Sequence, residues 1–391
     1  MSYDFDKIIE RRHTGSLKWD RLNEYFGRDD VLSMWVADMD FETPPFVIEA
    51  LQQRLQHPVL GYGADPAEWW PTVQQWIKDH HAWSVERDWL CYVPGIVRGI
   101  GMAVNVFCKP DEKVIIQPPV YHPFRLTPEA NGRQVVMNPL RETADGTYEM
   151  DFDNLREVCD DKCRMLILAN PHNPAGIVWP RETLQQLAHF CAERGIIVIS
   201  DEIHCDLALF GHHHVPFATV SDEAAQCSIT FQAPTKTFNM AGIVSSYAIV
   251  INEQLRRQFY GYLEANEFYD PPLLSPYATI AAYSNGEPWR KQLVEYIEGN
   301  VMCVEEMVRE LHMPVKVVRP QASYLVWLDC RQLGLDARQL DDLFLNKAHL
   351  ALNNGEMFGK GGEGFMRLNV GCPRSVVRQA MTQLAEALQQ L

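Results

Sequence analysis

Three polar residues stand where aliphatic runs stop, and their types match one kind of chemistry. Asn173 lies in PHNPAG (171–176), Asp201 in SDEIHCD (200–206) and Lys236 in TFQAPTKTFNMAG (230–242). A lysine amine can condense with a carbonyl or move a proton, a carboxylate can hold a cationic ring nitrogen, and an amide can donate to an oxygen. Each residue follows or ends an apolar run: RMLILAN (164–170), GIIVISD (195–201) and CSITFQA (227–233). Short β-branched and aliphatic runs bounded by polar or turn residues read as buried parallel strands. In open α/β sheets, ligand groups gather at the carboxyl ends of such strands. Asn173, Asp201 and Lys236 are therefore expected to converge on one crevice.

Those residue types suit pyridoxal 5′-phosphate, which needs a lysine for its aldehyde, an acid at its ring nitrogen and a donor for its phenolic oxygen. With these motifs in this order, the chain resembles the fold-type I pyridoxal-phosphate enzymes, the aspartate aminotransferase superfamily. Within it, the chain is most similar to the cystathionine β-lyase and cysteine-S-conjugate β-lyase branch. The resemblance runs from WVADMDF (35–41) to FMRLNVGCPRS (365–375), nearly end to end. It implies an α/β fold with a large domain, whose mostly parallel seven-stranded sheet forms an α/β/α sandwich, and a smaller α+β domain.

The resemblance assigns roles residue by residue. Lys236 would carry the cofactor aldehyde and then take the Cα proton of the substrate, Asp201 would hold the ring nitrogen, and Asn173 would donate to the ring oxygen. YVPGIVRGIGMAVNVF (92–107) places Gly95 at the start of an apolar helical pattern. Helix starts present unpaired N–H groups and a favourable dipole to an anion, so Gly95, Ile96 and Val97 are the expected phosphate loop. The spacing of Gly95 and Gly99 by itself is the ordinary mark of helix packing. Thr235 would add a hydroxyl to the phosphate. Tyr121, in QPPVYHPF (117–124), matches the ring that stacks on the cofactor and, with Lys236, would assist the leaving group. Arg367 would grip the substrate carboxylate with its planar fork, beside Asn173 and the backbone at Ala37 and Asp38. Tyr62, in LGYG (60–63), matches a tyrosine that reaches the phosphate of a neighbouring subunit, which implies a homodimer with shared active sites.

The chain also departs from the wider superfamily. Aminotransferases usually carry a tyrosine three residues after the ring aspartate and an arginine eight after the lysine. His204 and Val244 hold those positions here. The phosphate would then lean on backbone donors, Thr235 and Tyr62. His204 is expected near the ring oxygen, changing charge near physiological pH. The DEIH form of the motif resembles the β-lyases, so α,β-elimination of an L-cysteine S-conjugate to a thiol, pyruvate and ammonia is the expected reaction. Transfer of an amino group to a 2-oxo acid is the alternative.

Composition frames these expectations. The 391 residues exceed what one core usually holds, so two domains are expected: 48–285 for the cofactor, and 1–47 with 286–391 as the smaller one. With 35 Lys and Arg against 51 Asp and Glu, the formal charge of −16 argues against a nucleic-acid partner. MSYDFDKIIERRH lacks the apolar centre of a signal peptide, and no run approaches a membrane span, so the cytoplasm is the expected compartment. Ten scattered cysteines without CxxC spacing should be reduced, Cys205 among them as a structural residue. The triplet His212, His213 and His214 lacks companions with zinc-ligand spacing and reads as a solvated loop, so no metal is expected.

Overall fold

The computed structural model describes residues 2–144 and 146–390. Seven strands form the central sheet: β1 (Leu90–Val93), β2 (Lys113–Ile116), β3 (Gln134–Met137), β4 (Cys163–Ala169), β5 (Ile197–Asp201), β6 (Ser228–Gln232) and β7 (Ser246–Ile249). Their spatial order is β1-β7-β6-β5-β4-β2-β3. Every neighbouring pair is parallel except the two made by β7, which runs antiparallel to both β1 and β6. The three apolar runs read from the sequence are thus the adjacent strands β4, β5 and β6, and Asn173, Asp201 and Lys236 lie at or just beyond their carboxyl ends.

Alternation along these strands explains the layers. Met165, Ile167 and Ala169 of β4 face a core filled by Ile96, Ile100, Val104 and Phe107 of α3 (Ile96–Phe107) and by Phe259 and Leu263 of α6 (Glu253–Ala265). Leu166 and Leu168 face the other side, where α5 (Arg181–Glu193) supplies Leu184, Leu187, Ala188 and Phe190. Side chains of period two feed both faces, so the strands must be apolar throughout and helices must cover each side. Helix α3 lies close to the sheet because a Cβ at Gly99 would meet Phe231 Cζ at 3.0 Å. That glycine is therefore a packing residue, as the spacing alone suggested.

Helices α1 (Pro45–Leu55) and α2 (Trp69–His81) precede the sheet, after two single-turn helices at Leu17–Asp20 and Leu22–Phe26, and α4 (Pro123–Ala130) follows β2. Helices α7 (Ser275–Asn285) and α8 (Glu287–Glu310) lead to a second sheet of β8 (Lys316–Val318), β9 (Leu325–Asp329), β10 (Asn353–Asn354) and β11 (Phe365–Asn369), followed by α9 (Arg374–Leu388). This sheet is antiparallel, in the order β8-β9-β11-β10. Leu32 and Ser33 pair in parallel with Leu350 and Ala351, which ties the N-terminal arm to the C-terminal layer. No described helix is long and apolar enough to cross a membrane. All ten cysteines are unpaired.

Candidate active site

The carboxyl ends of β4, β5 and β6 open into a chamber of about 160 Å3. Ile96 and Val97 line its helical end, Tyr121 and Asn173 one wall, and Asp201, His204 and Lys236 the other, with Ala37 at the mouth. A second chamber of about 630 Å3 adjoins it. Ala37, Tyr121 and Lys236 belong to both, and Arg367 lines only the outer one. Apolar side chains including Phe26, Trp35, Leu352 and Met357 make up most of the outer wall.

Asp201 is 8% exposed, and one of its oxygens accepts from the Ile203 N–H at 3.1 Å. Burial raises its carboxyl to about 7, against the smaller opposing pulls of that N–H and of Lys236. Lys236 experiences the reverse: burial lowers its amine to about 8, with Asp38 raising it and Arg367 lowering it. Its Nζ donates to the Ala37 carbonyl. A lysine of ordinary pKa would be almost wholly protonated at neutral pH, whereas this one holds roughly a tenth of its population in the nucleophilic form.

Arg367 sits at the centre of β11, buried and directly opposite Asn353 and Trp327 in register. Its fork donates to Asn173 Oδ1 at 3.1 Å, to Asn353 Oδ1 at 2.6 Å and to the Trp35 carbonyl at 2.9 Å. Its guanidinium carbon lies 5.0 Å from the Phe358 ring centre, and its Nε has no partner. Burial lowers it to about 10, which leaves it cationic at neutral pH. A buried cation with a donor left unsatisfied is a candidate receptor for an anion, because leaving such a group unpaired is costly.

Gly95 takes φ +108, a conformation that side chains resist, and turns the chain from β1 into α3. Its own N–H is already bound to the Val93 carbonyl at 2.8 Å. Ile96 and Val97, rather than Gly95, therefore present the free amides of the helix start. Val244 packs 4.0 Å from where a Cβ of Gly95 would stand, so the position that carries arginine in aminotransferases is apolar beside this anion site. Thr235 is buried next to Lys236 but lines neither chamber. Tyr62 is fully exposed and outside both.

Two sequence expectations are corrected. His204 is buried with its Nδ1 unpartnered, and burial together with the charges of Lys236 and Arg367 lowers it to about 3. It is therefore neutral across the physiological range rather than poised to titrate there. The histidine triplet is not uniformly solvated: His212 and His213 are exposed, but His214 is buried with Nε2 2.9 Å from Glu202 Oε2. Glu202 is itself buried and also accepts from Ser200, Gln232 and the Phe217 N–H. An acid beside Asp201 at the end of an apolar strand needs such partners, and that was the available signal for His214. Missed entirely were Asn353, Asn369, Asn239 and Tyr324, which hold Arg367 or the 35–41 segment.

These groups fit pyridoxal 5′-phosphate. The buried Asp201 carboxylate asks for a cation, Lys236 offers an amine of lowered pKa, and the α3 start offers amides to a phosphate. Asn173 Nδ2 and His204 Nδ1 have no protein partner among the described residues, and both residues line the inner chamber.

The sequence model of the family described as aminotransferase class I and II matches residues 29–384. Cystathionine beta-lyase PatB of Bacillus subtilis is 43% identical over 387 residues, covering 98% of this chain and 100% of that protein. Cystalysin from Treponema denticola, a structure described as containing a pyridoxal 5′-phosphate cofactor, is 34% identical with a TM-score of 0.96 and full coverage of both chains. The PLP-bound C-S lyase from Staphylococcus hominis is 32% identical with a TM-score of 0.90, covering 99% of this chain and 98% of that one.

Proposed function

The chain belongs to the aminotransferase class I and II family, and from that premise we propose that it is a pyridoxal-phosphate-dependent carbon–sulfur β-lyase. Its substrate is L-cystathionine or a related L-cysteine S-conjugate, cleaved by α,β-elimination to a thiol and aminoacrylate, which water hydrolyses to pyruvate and ammonia. The observation that carries this reading is that the Lys236 amine and the buried Asp201 carboxylate line one inner chamber, with Arg367 and a large apolar chamber beside them. The names of the relatives support lyase over aminotransferase chemistry, as does neutral His204 in the place of a tyrosine.

When bound, the cofactor supplies an electron sink for the pair left at Cα. Asp201 would hold its ring nitrogen, Ile96 and Val97 its phosphate, Asn173 and His204 its ring oxygen, and Tyr121 the face of its ring. Arg367, already fixed on three oxygens, receives the substrate carboxylate through its remaining donors and so fixes Cα relative to Lys236. Lys236 removes the Cα proton, which its lowered pKa allows at neutral pH. The β-substituent then departs as a thiolate into the outer chamber, where Tyr121 can supply a proton. Thiolates leave readily, so no strong acid is required.

The rest of the proposal concerns assembly. Val59, Leu60 and Tyr62 are exposed by 62%, 64% and 111%, and a second copy of the chain would cover them and receive Tyr62 at its phosphate site. Residues 48–285 would form the cofactor domain and 1–47 with 286–391 the smaller one, in a cytoplasmic enzyme. The test is pyruvate release from L-cystathionine by the purified protein loaded with pyridoxal 5′-phosphate, with and without 2-oxoglutarate. Pyruvate without an acceptor is expected. Glutamate formed only with the acceptor, and no pyruvate, would make the protein an aminotransferase.

A further inference from the structure

The 35–41 segment has no regular secondary structure, yet side chains from remote positions hold its carbonyls one after another. Arg367 takes Trp35, Asn369 takes Val36 and Asp38 at 2.6 and 2.7 Å, and Asn239 takes Met39 and Phe41 at 2.9 and 2.7 Å. Buried Lys18 adds a bond to Asp38 O at 3.3 Å and an ion pair to Asp40 at 2.7 Å. The carbonyl of Ala37 is the one in this series that holds Lys236: it receives the Lys236 amine and, at 2.9 Å, the hydroxyl of Tyr324.

Tyr324 is fully buried at the entrance to β9. Its ring meets His204 edge-on with centres 6.2 Å apart. The preceding Ser323 takes φ +74, unusual for a residue with a side chain, and its N–H is fixed to the Leu207 carbonyl at 2.8 Å. Phenylalanine would fill the same space, so packing does not account for the hydroxyl. A buried hydroxyl must find an acceptor, and Ala37 O is the one it has. A carbonyl oxygen offers two lone pairs, and here both are engaged.

We propose that Tyr324 is a positioning residue for the catalytic lysine: its hydroxyl fixes the Ala37 carbonyl as the place where the Lys236 amine rests whenever that amine is not bonded to the cofactor. The role of Lys236 as base is taken from the proposed function, and the place of its amine from the structure. Sharing also tempers the acceptor. With Tyr324 present, Ala37 O divides its capacity between two donors; without it, the oxygen serves Lys236 alone and favours the ammonium form. The other groups facing this amine are Asp38 on the segment, Asp201 at the end of β5, His204 after it, Tyr121 before α4 and Arg367 on β11. Removing the hydroxyl takes none of these groups away.

The test is the pH dependence of acetylation of Lys236 in the apoprotein, read by peptide mass spectrometry, for wild type and Tyr324→Phe. An upward shift of the midpoint by about half a pH unit or more is expected. In the loaded enzyme, kcat should fall several-fold with little change in KM, and the acid limb of the kcat profile should move up with the labelling midpoint. If Tyr324→Phe does not fold, fluorotyrosine placed at 324 serves instead. Its more acidic hydroxyl donates more strongly, and the midpoint should move down. A midpoint unmoved in whichever of these proteins folds overturns the proposal. Absence of pyruvate from the wild-type enzyme would strike the lyase reading alone, because the labelling shift does not depend on it.

Discussion

Residues 35–41 and 56–63 both lack regular secondary structure, and they meet opposite fates. The first segment is held by side chains from Asn239, Tyr324, Arg367 and Asn369, and it closes the mouth of the inner chamber. The second lies wholly exposed, with Val59, Leu60 and Tyr62 in solvent. Under the proposed function, the groups that touch the reacting atoms all come from one chain. What that chain leaves unfinished is the proposed phosphate end, where apolar Val244 packs beside Gly95 and only the helix start is in place. Apolar surface of this kind commonly marks an interaction site. The division predicts that catalytic residues act within one subunit and that Tyr62 acts across to the next.

The largest effect tests the self-contained half. Lys236→Ala removes the group placed to move the Cα proton, and turnover should fall by at least about 10^3-fold, in line with what positioned acid–base groups contribute. Pyruvate formation near the wild-type rate would remove Lys236 from the mechanism. Mixing subunits sharpens the comparison. Hybrid dimers of Lys236→Ala with Tyr62→Ala chains contain, within one of their two sites, both a native lysine and a native Tyr62 from the partner. Those hybrids should recover part of the activity that Lys236→Ala homodimers lack.

Asp201→Asn comes next, and it separates stability from function. The isosteric amide loses a charge-assisted hydrogen bond to the cofactor ring, worth about 1.5–3 kcal/mol, so affinity for pyridoxal 5′-phosphate should fall roughly 10- to 100-fold. The apoprotein should respond in the opposite sense. Asp201 has its carboxyl raised from 3.8 to about 7, so the folded apoprotein binds more protons than the unfolded chain between those values. The contribution of Asp201 to stability must therefore decline as pH rises through that window, by up to about 4 kcal/mol. Asparagine does not titrate, so the melting temperature of Asp201→Asn apoprotein should gain on that of wild type steadily from pH 4 to 7, the buried histidines contributing equally to both. Parallel melting curves across that range would show that the carboxylate is not carrying this burden.

The two regions also differ in how far they could be read from sequence. Strands β4, β5 and β6 were legible because buried parallel strands are apolar on both faces, and Asn173, Asp201 and Lys236 stood out as polar residues at their ends. Gly95 was legible as a helix start. Only the structure separates its turn-making from the donor role of Ile96 and Val97, since that depends on where its N–H is already spent. The holding of residues 35–41 was not legible. Tyr324 and Ala37 are 287 residues apart, and Asn369 and Val36 are 333 apart, so no local pattern links them. His204 shows the same limit in charge: histidine at that position suggests a titrating group, and only burial beside two cations shows it to be neutral. His214 was hidden because an exposed pair, His212 and His213, precedes it.

The smallest effect bears on the unfinished half. Tyr62 contributes nothing to either chamber of its own chain, so a role inside the protomer predicts no change on removing its hydroxyl. A hydrogen bond to the partner's phosphate predicts a loss of about 0.5–1.5 kcal/mol in cofactor affinity for Tyr62→Phe, roughly two- to tenfold. Equilibrium titration of pyridoxal 5′-phosphate into the apoprotein at concentrations above and below subunit association separates the two. Weakened binding that disappears when the chains are dissociated places Tyr62 across the interface. Equal affinities for wild type and variant at every protein concentration would mean that one chain completes the phosphate site alone, and the contrast between the two segments would then be one of exposure without function.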